Sequence, residues 1–301
     1  MSGPSAGRGT ARAHDGHPLA VTRYPAAGEA WATMVVGCAM GVEQGVYGAF
    51  ARYLARHGVH VLTFDYRGIG ASVAGPLRRV DADVMTWATQ DFDAMLLEAA
   101  AMAPSLPLTA LGHSLGGQLL GVLPHRARVR AAVTVTAGSG WYSFNDRIPV
   151  QVRLLWFVLV PVLTTLFGYF PGRRLRMVGD LPRGVVMQWR RWCLHREYLL
   201  SEGPAARAAF DSVRFPMLAW SFEDDALLTK AAIEALHAEY RNAPVELRHV
   251  APAAVGMGRI GHFGFFSSRS EAALWRPTLD WLRARVNAGS VRCDPSSTAT
   301  P

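Results

Sequence analysis

The chain has 301 residues, half of them hydrophobic, with 31 Lys and Arg against 23 Asp and Glu, so a sizeable core in one large α/β domain, with or without an insertion, is within reach. The net charge of +8 comes almost entirely from scattered arginines, paired only at Arg78-Arg79, Arg173-Arg174 and Arg190-Arg191, and Lys230 is the single lysine. No nucleic-acid-binding motif accompanies them, so a nucleic-acid partner is not expected.

Three cysteines, Cys38, Cys193 and Cys293, are widely spaced and odd in number. They form no C-x-x-C and no zinc pattern, which points to a reducing, cytoplasmic setting. The opening MSGPSAGRGTARAHDG has no apolar core and does not read as a secretory signal.

In chain order, residues 1–10 are rich in Gly and Ser and read as a disordered tail. Asp15-Gly16 reads as a hairpin turn between Ala11–Ala13 and Leu19–Val21. Strand Thr33–Gly37 follows, then helix Tyr47–Arg56 ended by Gly58, and strand Val59–Asp65. Met85–Met102 reads as a long amphipathic helix closed by Pro104, before strand Leu108–Leu111, a helix from Leu115 and strand Val129–Val135. Residues 139–213 break the alternation and read as a mainly helical cap. Strand Met217–Ser221, helix Lys230–Tyr240, strand Val245–Val250 and helix Glu271–Val286 resume it; residues 288–301 read as a second tail. Strands alternating with helices imply a mostly parallel, doubly wound sheet, with a core over 11–138 and 214–287. Reacting groups belong in the loops after the carboxyl ends of its strands.

One such loop is GHSLGG at residues 112–117. Its glycines permit a strained strand-to-helix turn with Ser114 at the apex, where the hydroxyl is exposed as a nucleophile. A glycine-rich turn with a capping serine would look similar. The remainder of a hydrolytic site separates the two readings, because a serine hydroxyl needs a base within hydrogen-bond reach and a group orienting that base. FEDDALLT (222–229) offers Asp224 and Asp225 after one strand, and GRIGHFG (258–264) offers His262 after the next. Serine, acid and histidine thus come in the order expected of such a sheet.

These segments, with DYRGIGAS at 65–72, resemble the α/β-hydrolase superfamily over roughly residues 15 to 285. They are similar in particular to its monoglyceride-lipase and serine-aminopeptidase-like branch. The resemblance implies an α/β-hydrolase fold with Ser114 as nucleophile, His262 as general base and then acid, and an aspartate as orienter. Asp225 fits that last role because the family places its acid before a short apolar run, here DALL (225–228); Asp224 is the alternative. An oxyanion hole would use the backbone N–H of Leu115 and one from the loop after the first parallel strand. Relatives carry H-G-x-G there and this chain has CAMG (38–41), which assigns Met40, with Ala39 one residue off in register. Cys38 reads as a small buried residue. No metal or cofactor is implied.

The run Leu154–Phe170 is the most apolar of the chain. It reads as a buried or pocket-lining pair of cap helices, as a peripheral membrane contact aided by Arg153, Arg173 and Arg174, or as a membrane span. Trp156, Phe157, Trp189 and Trp192 are candidates for the wall of a substrate pocket. The cap is poor in carboxylates, which disfavours a pocket for a substrate ammonium group. The expected activity is hydrolysis of a carboxylic ester, a small molecule with an apolar acyl or alcohol part, through an acyl-enzyme. Acyl transfer by the same triad and a non-catalytic, membrane-attached binding protein of this fold are the alternatives.

Overall fold

The computed structural model describes residues 5–144, 149–175 and 177–288. Ten strands and ten α-helices are labelled in chain order. The first part holds β1 (Gly7–Arg12), β2 (Pro18–Tyr24), β3 (Ala32–Gly37), α1 (Gly48–Arg56) and β4 (Val59–Phe64). Then α2 (Val84–Thr86) runs through a π turn (Trp87–Phe92) into α3 (Asp93–Met102), followed by β5 (Leu108–His113), α4 (Leu115–Leu119) and β6 (Val129–Val135). The cap holds α5 (Pro149–Leu154), a π turn (Leu155–Leu159), α6 (Val160–Phe167), β7 (Tyr169–Phe170), β8 (Leu181–Pro182), α7 (Arg183–Cys193) and α8 (Pro204–Asp211). The last part holds β9 (Met217–Phe222), α9 (Lys230–Ala238), β10 (Val245–Val250) and α10 (Arg276–Asn287).

Eight strands form one sheet in the order β1-β2-β4-β3-β5-β6-β9-β10. β2 is antiparallel to both β1 and β4, and all pairings from β4 to β10 are parallel. The central strands β3, β5 and β9 are buried at every position, as expected where both faces are covered, and their sequences are correspondingly apolar without alternation. The connecting helices have ordinary causes. Asp83 caps α2 by accepting from the Thr86 N–H, and Gly58, at φ +85°, releases the chain from α1 into β4.

The DYRGIGAS turn after β4 is held by its own polar groups. Asp65, almost fully buried, accepts the N–H groups of Gln44 at 2.7 Å and Ala71 at 3.0 Å. Arg67 reaches Asp91 on one side and Asp15 in the β1–β2 turn on the other, at 2.6 Å each. Burial raises the Asp91 carboxyl, and the Arg67 guanidinium opposes that rise.

Three expectations need correction. The tail expected over residues 1–10 stops short of Gly7, because residues 7–12 pair with Pro18–Arg23 as β1. Residues 1–4 and 289–301 lie outside the described residues. The cap is mainly helical but includes a two-stranded antiparallel ribbon, Tyr169 opposite Pro182 and Phe170 opposite Leu181. The pair of helices expected around Pro161 is one continuous helix, and it is largely uncovered. Val150–Phe167 is long and apolar enough to cross a membrane by length and composition alone, yet only 17% of it is buried. Val152, Trp156, Val160 and Thr164 face inward at four-residue spacing. Val150, Leu154, Val158, Val162 and Leu166 face outward at the same spacing, with Phe157 beside them. The helix is fastened from its inner side, where the Arg190 guanidinium donates to the Trp156 carbonyl at 2.5 Å.

Candidate active site

Ser114 sits between the last residue of β5 and the first of α4, half-buried, at φ +50° and ψ −115°. This left-sided backbone is costly for a residue with a Cβ and persists only where the surroundings enforce it. Close packing on both sides enforces it here. The Ser114 N–H donates to the Val135 carbonyl at 2.9 Å. A Cβ on Gly116 would lie 2.2 Å from the Gly37 carbonyl oxygen, and one on Gly112 would lie 2.4 Å from Gly117 Cα. The glycines therefore let α4 start flush against β3 and β5, which leaves Ser114 at the apex.

His262 and Asp225 come together at the ends of the neighbouring strands. His262 Nδ1 and Asp225 Oδ2 are 2.8 Å apart, and both residues are buried. Asp225 accepts the N–H groups of Leu227 at 2.8 Å and Leu228 at 3.2 Å on its other oxygen. The apolar run after the acid thus supplies the backbone donors that fix the carboxylate. Because Asp225 accepts, His262 carries its hydrogen on Nδ1 and leaves the Nε2 lone pair free.

Asp224 faces elsewhere. Its two oxygens accept the N–H groups of Ile260 and Gly261, each at 2.9 Å. It is tied to the backbone of the loop that carries His262, and it does not hold the imidazole.

A second histidine, which the sequence reading did not single out, joins these loops. The His113 Nε2–H donates to the His262 carbonyl at 3.0 Å, since a carbonyl can only accept. His113 Nδ1 is then the acceptor for the Tyr47 hydroxyl at 2.9 Å, and that hydroxyl oxygen accepts the Ala39 N–H at 2.8 Å. Thr136, also at positive φ, donates to the same His262 carbonyl at 3.4 Å. Burial pushes the His113 imidazole well below its ordinary pKa, so it stays neutral and keeps this hydrogen order. One signal was available in the sequence: an ionisable residue in an otherwise apolar strand, next to the serine.

The same chain of bonds bears on the candidate oxyanion donors. The Ala39 N–H is occupied by Tyr47, whereas the Met40 N–H has no hydrogen-bond partner among the described residues. Leu115 is the first residue of α4, where an N–H has no partner within the helix. Cys38 is fully buried, its thiol donating to the Phe64 carbonyl and pushed up in pKa by burial, which leaves it inert.

The four aromatic cap candidates do not act as one group. Trp156 and Trp189 meet edge to face with ring centres 4.9 Å apart. Trp192 is fully enclosed and donates its indole N–H to Glu202 at 2.5 Å, so it has no surface to offer a ligand. Phe157 is half exposed on the outer stripe of the cap helix, its ring against Tyr142.

The family model for serine aminopeptidase, S33, matches residues 28–167, a stretch that includes Met40 and Ser114 and ends before Asp225 and His262. No curated protein matches the chain. Solved structures do. A soluble variant of monoglyceride lipase from Saccharomyces cerevisiae is 14% identical with a TM-score of 0.67, the match covering 95% of this chain and 96% of that one. A thermostable carboxyl esterase from Bacillus coagulans is 13% identical with a TM-score of 0.64, covering 94% and 99%. The alpha/beta hydrolase GrgF from Penicillium sp. sh18 is 18% identical with a TM-score of 0.58, covering 94% and 100%. At these identities the likeness carries the fold.

Proposed function

We propose that this α/β-hydrolase, similar to the monoglyceride-lipase and serine-aminopeptidase-like branch, is a serine hydrolase of carboxylic esters. The observation that carries the reading is the buried His262–Asp225 pair, 2.8 Å apart, tied through His113 to the strained turn that presents Ser114. In this reading His262 Nε2 takes the Ser114 proton as Oγ attacks the ester carbonyl. The Met40 and Leu115 N–H groups receive the developing oxyanion, and Asp225 stabilises the imidazolium. The imidazolium then returns its proton to the departing alcohol. Water, activated by the same nitrogen, releases the acid from the acyl-enzyme. No metal or cofactor enters this sequence.

An ester is favoured over a peptide with a free amino terminus by how the cap carboxylates are used. Glu202 is occupied by Gln188, Arg191 and Trp192, Asp180 by the Arg173 N–H, and Asp211 pairs with Arg207. Among the described cap carboxylates only Glu197 has no such partner, so at the other three a substrate ammonium would have to displace an existing contact. Mass labelling with a fluorophosphonate followed by peptide mapping tests the reading. One adduct on Ser114 is expected, and an adduct on a different residue overturns it.

The outward stripe of the cap helix supports a peripheral contact with membrane lipid, with Arg153 on the same helix as a partner for anionic headgroups. The buried, unpaired Cys38 and Cys193 fit a reducing compartment such as the cytoplasm. Co-sedimentation with phosphatidylglycerol vesicles should be lost in Val158→Glu/Val162→Glu; equal binding by that variant would refute the contact.

A further inference from the structure

We propose that His14, Asp93 and His125 form a binding site for a divalent ion of zinc type, apart from the candidate active site. The three residues come from different elements. His14 lies in the β1–β2 turn, with its N–H donated to the Gln90 carbonyl at 3.1 Å, Asp93 opens α3, and His125 follows α4. Their donor atoms converge. His14 Nε2 is 2.8 Å and His125 Nδ1 is 2.6 Å from one and the same oxygen, Asp93 Oδ2. All three atoms lie within 4.8 Å of one another.

The donor set suits zinc, which takes imidazole nitrogen and carboxylate oxygen at about 2.0–2.2 Å. A tetrahedral ion with those bonds needs its ligand atoms about 3.4 Å apart. The present contacts must open by somewhat over half an ångström. The imidazoles can turn to give this, because they are the exposed members, at 32% and 49%, around a carboxylate that is fully buried. Their exposure also leaves a face of the site to water as the fourth ligand. Each ring needs only to carry its hydrogen on the nitrogen away from Asp93 to bind as a neutral ligand, and a ring that starts doubly protonated releases one proton.

The surroundings fix the carboxylate as the second layer of a metal site does. Asp93 Oδ1 accepts the His125 N–H at 2.7 Å, so Oδ2 is presented in one direction. Arg126, the next residue, directs its guanidinium to the Ala209 and Leu123 carbonyls and to Ser212 Oγ, at 2.8–3.0 Å, and makes no hydrogen bond to Asp93. A bound ion would clamp the N-terminal hairpin onto α3 and the loop after α4. Its role is structural, and the triad groups take no part in it.

Isothermal titration of untagged, chelator-stripped protein with zinc chloride tests the proposal, with thermal unfolding as a second readout. One zinc per chain and a raised Tm are expected. His14→Ala and His125→Ala should each weaken binding by at least about tenfold, by analogy with the loss on removing even an outer-layer partner. Both should keep their metal-free ester turnover. No heat and no Tm change at 100-fold excess zinc would overturn the site, as would undiminished affinity in the double variant, which would place the metal elsewhere.

Discussion

Ser114→Ala is expected to lower turnover of short p-nitrophenyl esters by about 10⁴-fold or more while the far-UV circular dichroism stays unchanged. The fold should survive because the hydroxyl makes no capping bond to α4, and because alanine meets the same backbone strain as serine at φ +50°. The loss is large because no other group in the proposed mechanism can form the acyl-enzyme. His262→Ala should lose a similar factor, since without a base the hydroxyl is nearly inert. The double variant should then be no slower than either single one, because residues acting as one unit have effects that do not add. Measured kcat values for the three proteins decide the matter. Losses that multiply in the double variant would mean that Ser114 and His262 act independently, and Ser114→Ala turnover near that of the parent would remove the serine from the mechanism.

The parts of the fold legible in the sequence are those in which side-chain pattern and burial coincide. β3, β4, β5 and β6 are buried apolar runs, and each was bounded by a glycine, a proline or a polar turn. β1 was not legible. Its first four residues, GRGT, are polar and exposed and were read as tail, because their backbone pairing with β2 leaves no trace in residue type. The two-residue strands β7 and β8 are too short to carry any periodicity. In the cap helix, residues 152, 156, 160 and 164 and residues 150, 154, 158, 162 and 166 form two stripes, apolar apart from Thr164. Hydropathy therefore could not say which one packs, and the buried, membrane-contact and membrane-span readings of this run stood side by side. Trp192 was read as a pocket wall for a related reason: an aromatic at helical spacing does not reveal whether it faces a cavity or a neighbouring helix.

The site divides in the same way. Ser114 and His262 stand between glycines at strand ends, a local signal. The hydrogen-bond route from Ala39 through Tyr47 and His113 to the His262 carbonyl joins three loops and leaves no motif. His14, Asp93 and His125 are likewise separated by 79 and 32 residues, far outside any metal-ligand spacing that a sequence reader would recognise.

The two neighbouring aspartates give the finest test of the proposed mechanism. Asp225→Asn should lower kcat by at least about 10²-fold, and the physical reason is the hydrogen on His262 Nδ1. An asparagine can present its NH₂ to that nitrogen. The imidazole then carries its hydrogen on Nε2, which can no longer accept the serine proton, and no carboxylate remains to stabilise the imidazolium. Asp224→Asn removes a different interaction. Its two oxygens hold the Ile260 and Gly261 N–H groups, and an amide can accept only through its single oxygen, so one of these bonds is lost. That loosens the approach to His262 without changing its hydrogen. We expect a kcat loss below about tenfold, with a lower Tm as the larger effect, since one unpaired backbone N–H costs roughly 1–3 kcal/mol. Steady-state kinetics and thermal unfolding of both variants separate the roles. A greater kcat loss at Asp224 than at Asp225 would reverse the assignment of the orienting acid. Small losses at both would mean that the 2.8 Å contact between His262 and Asp225 serves packing and not turnover.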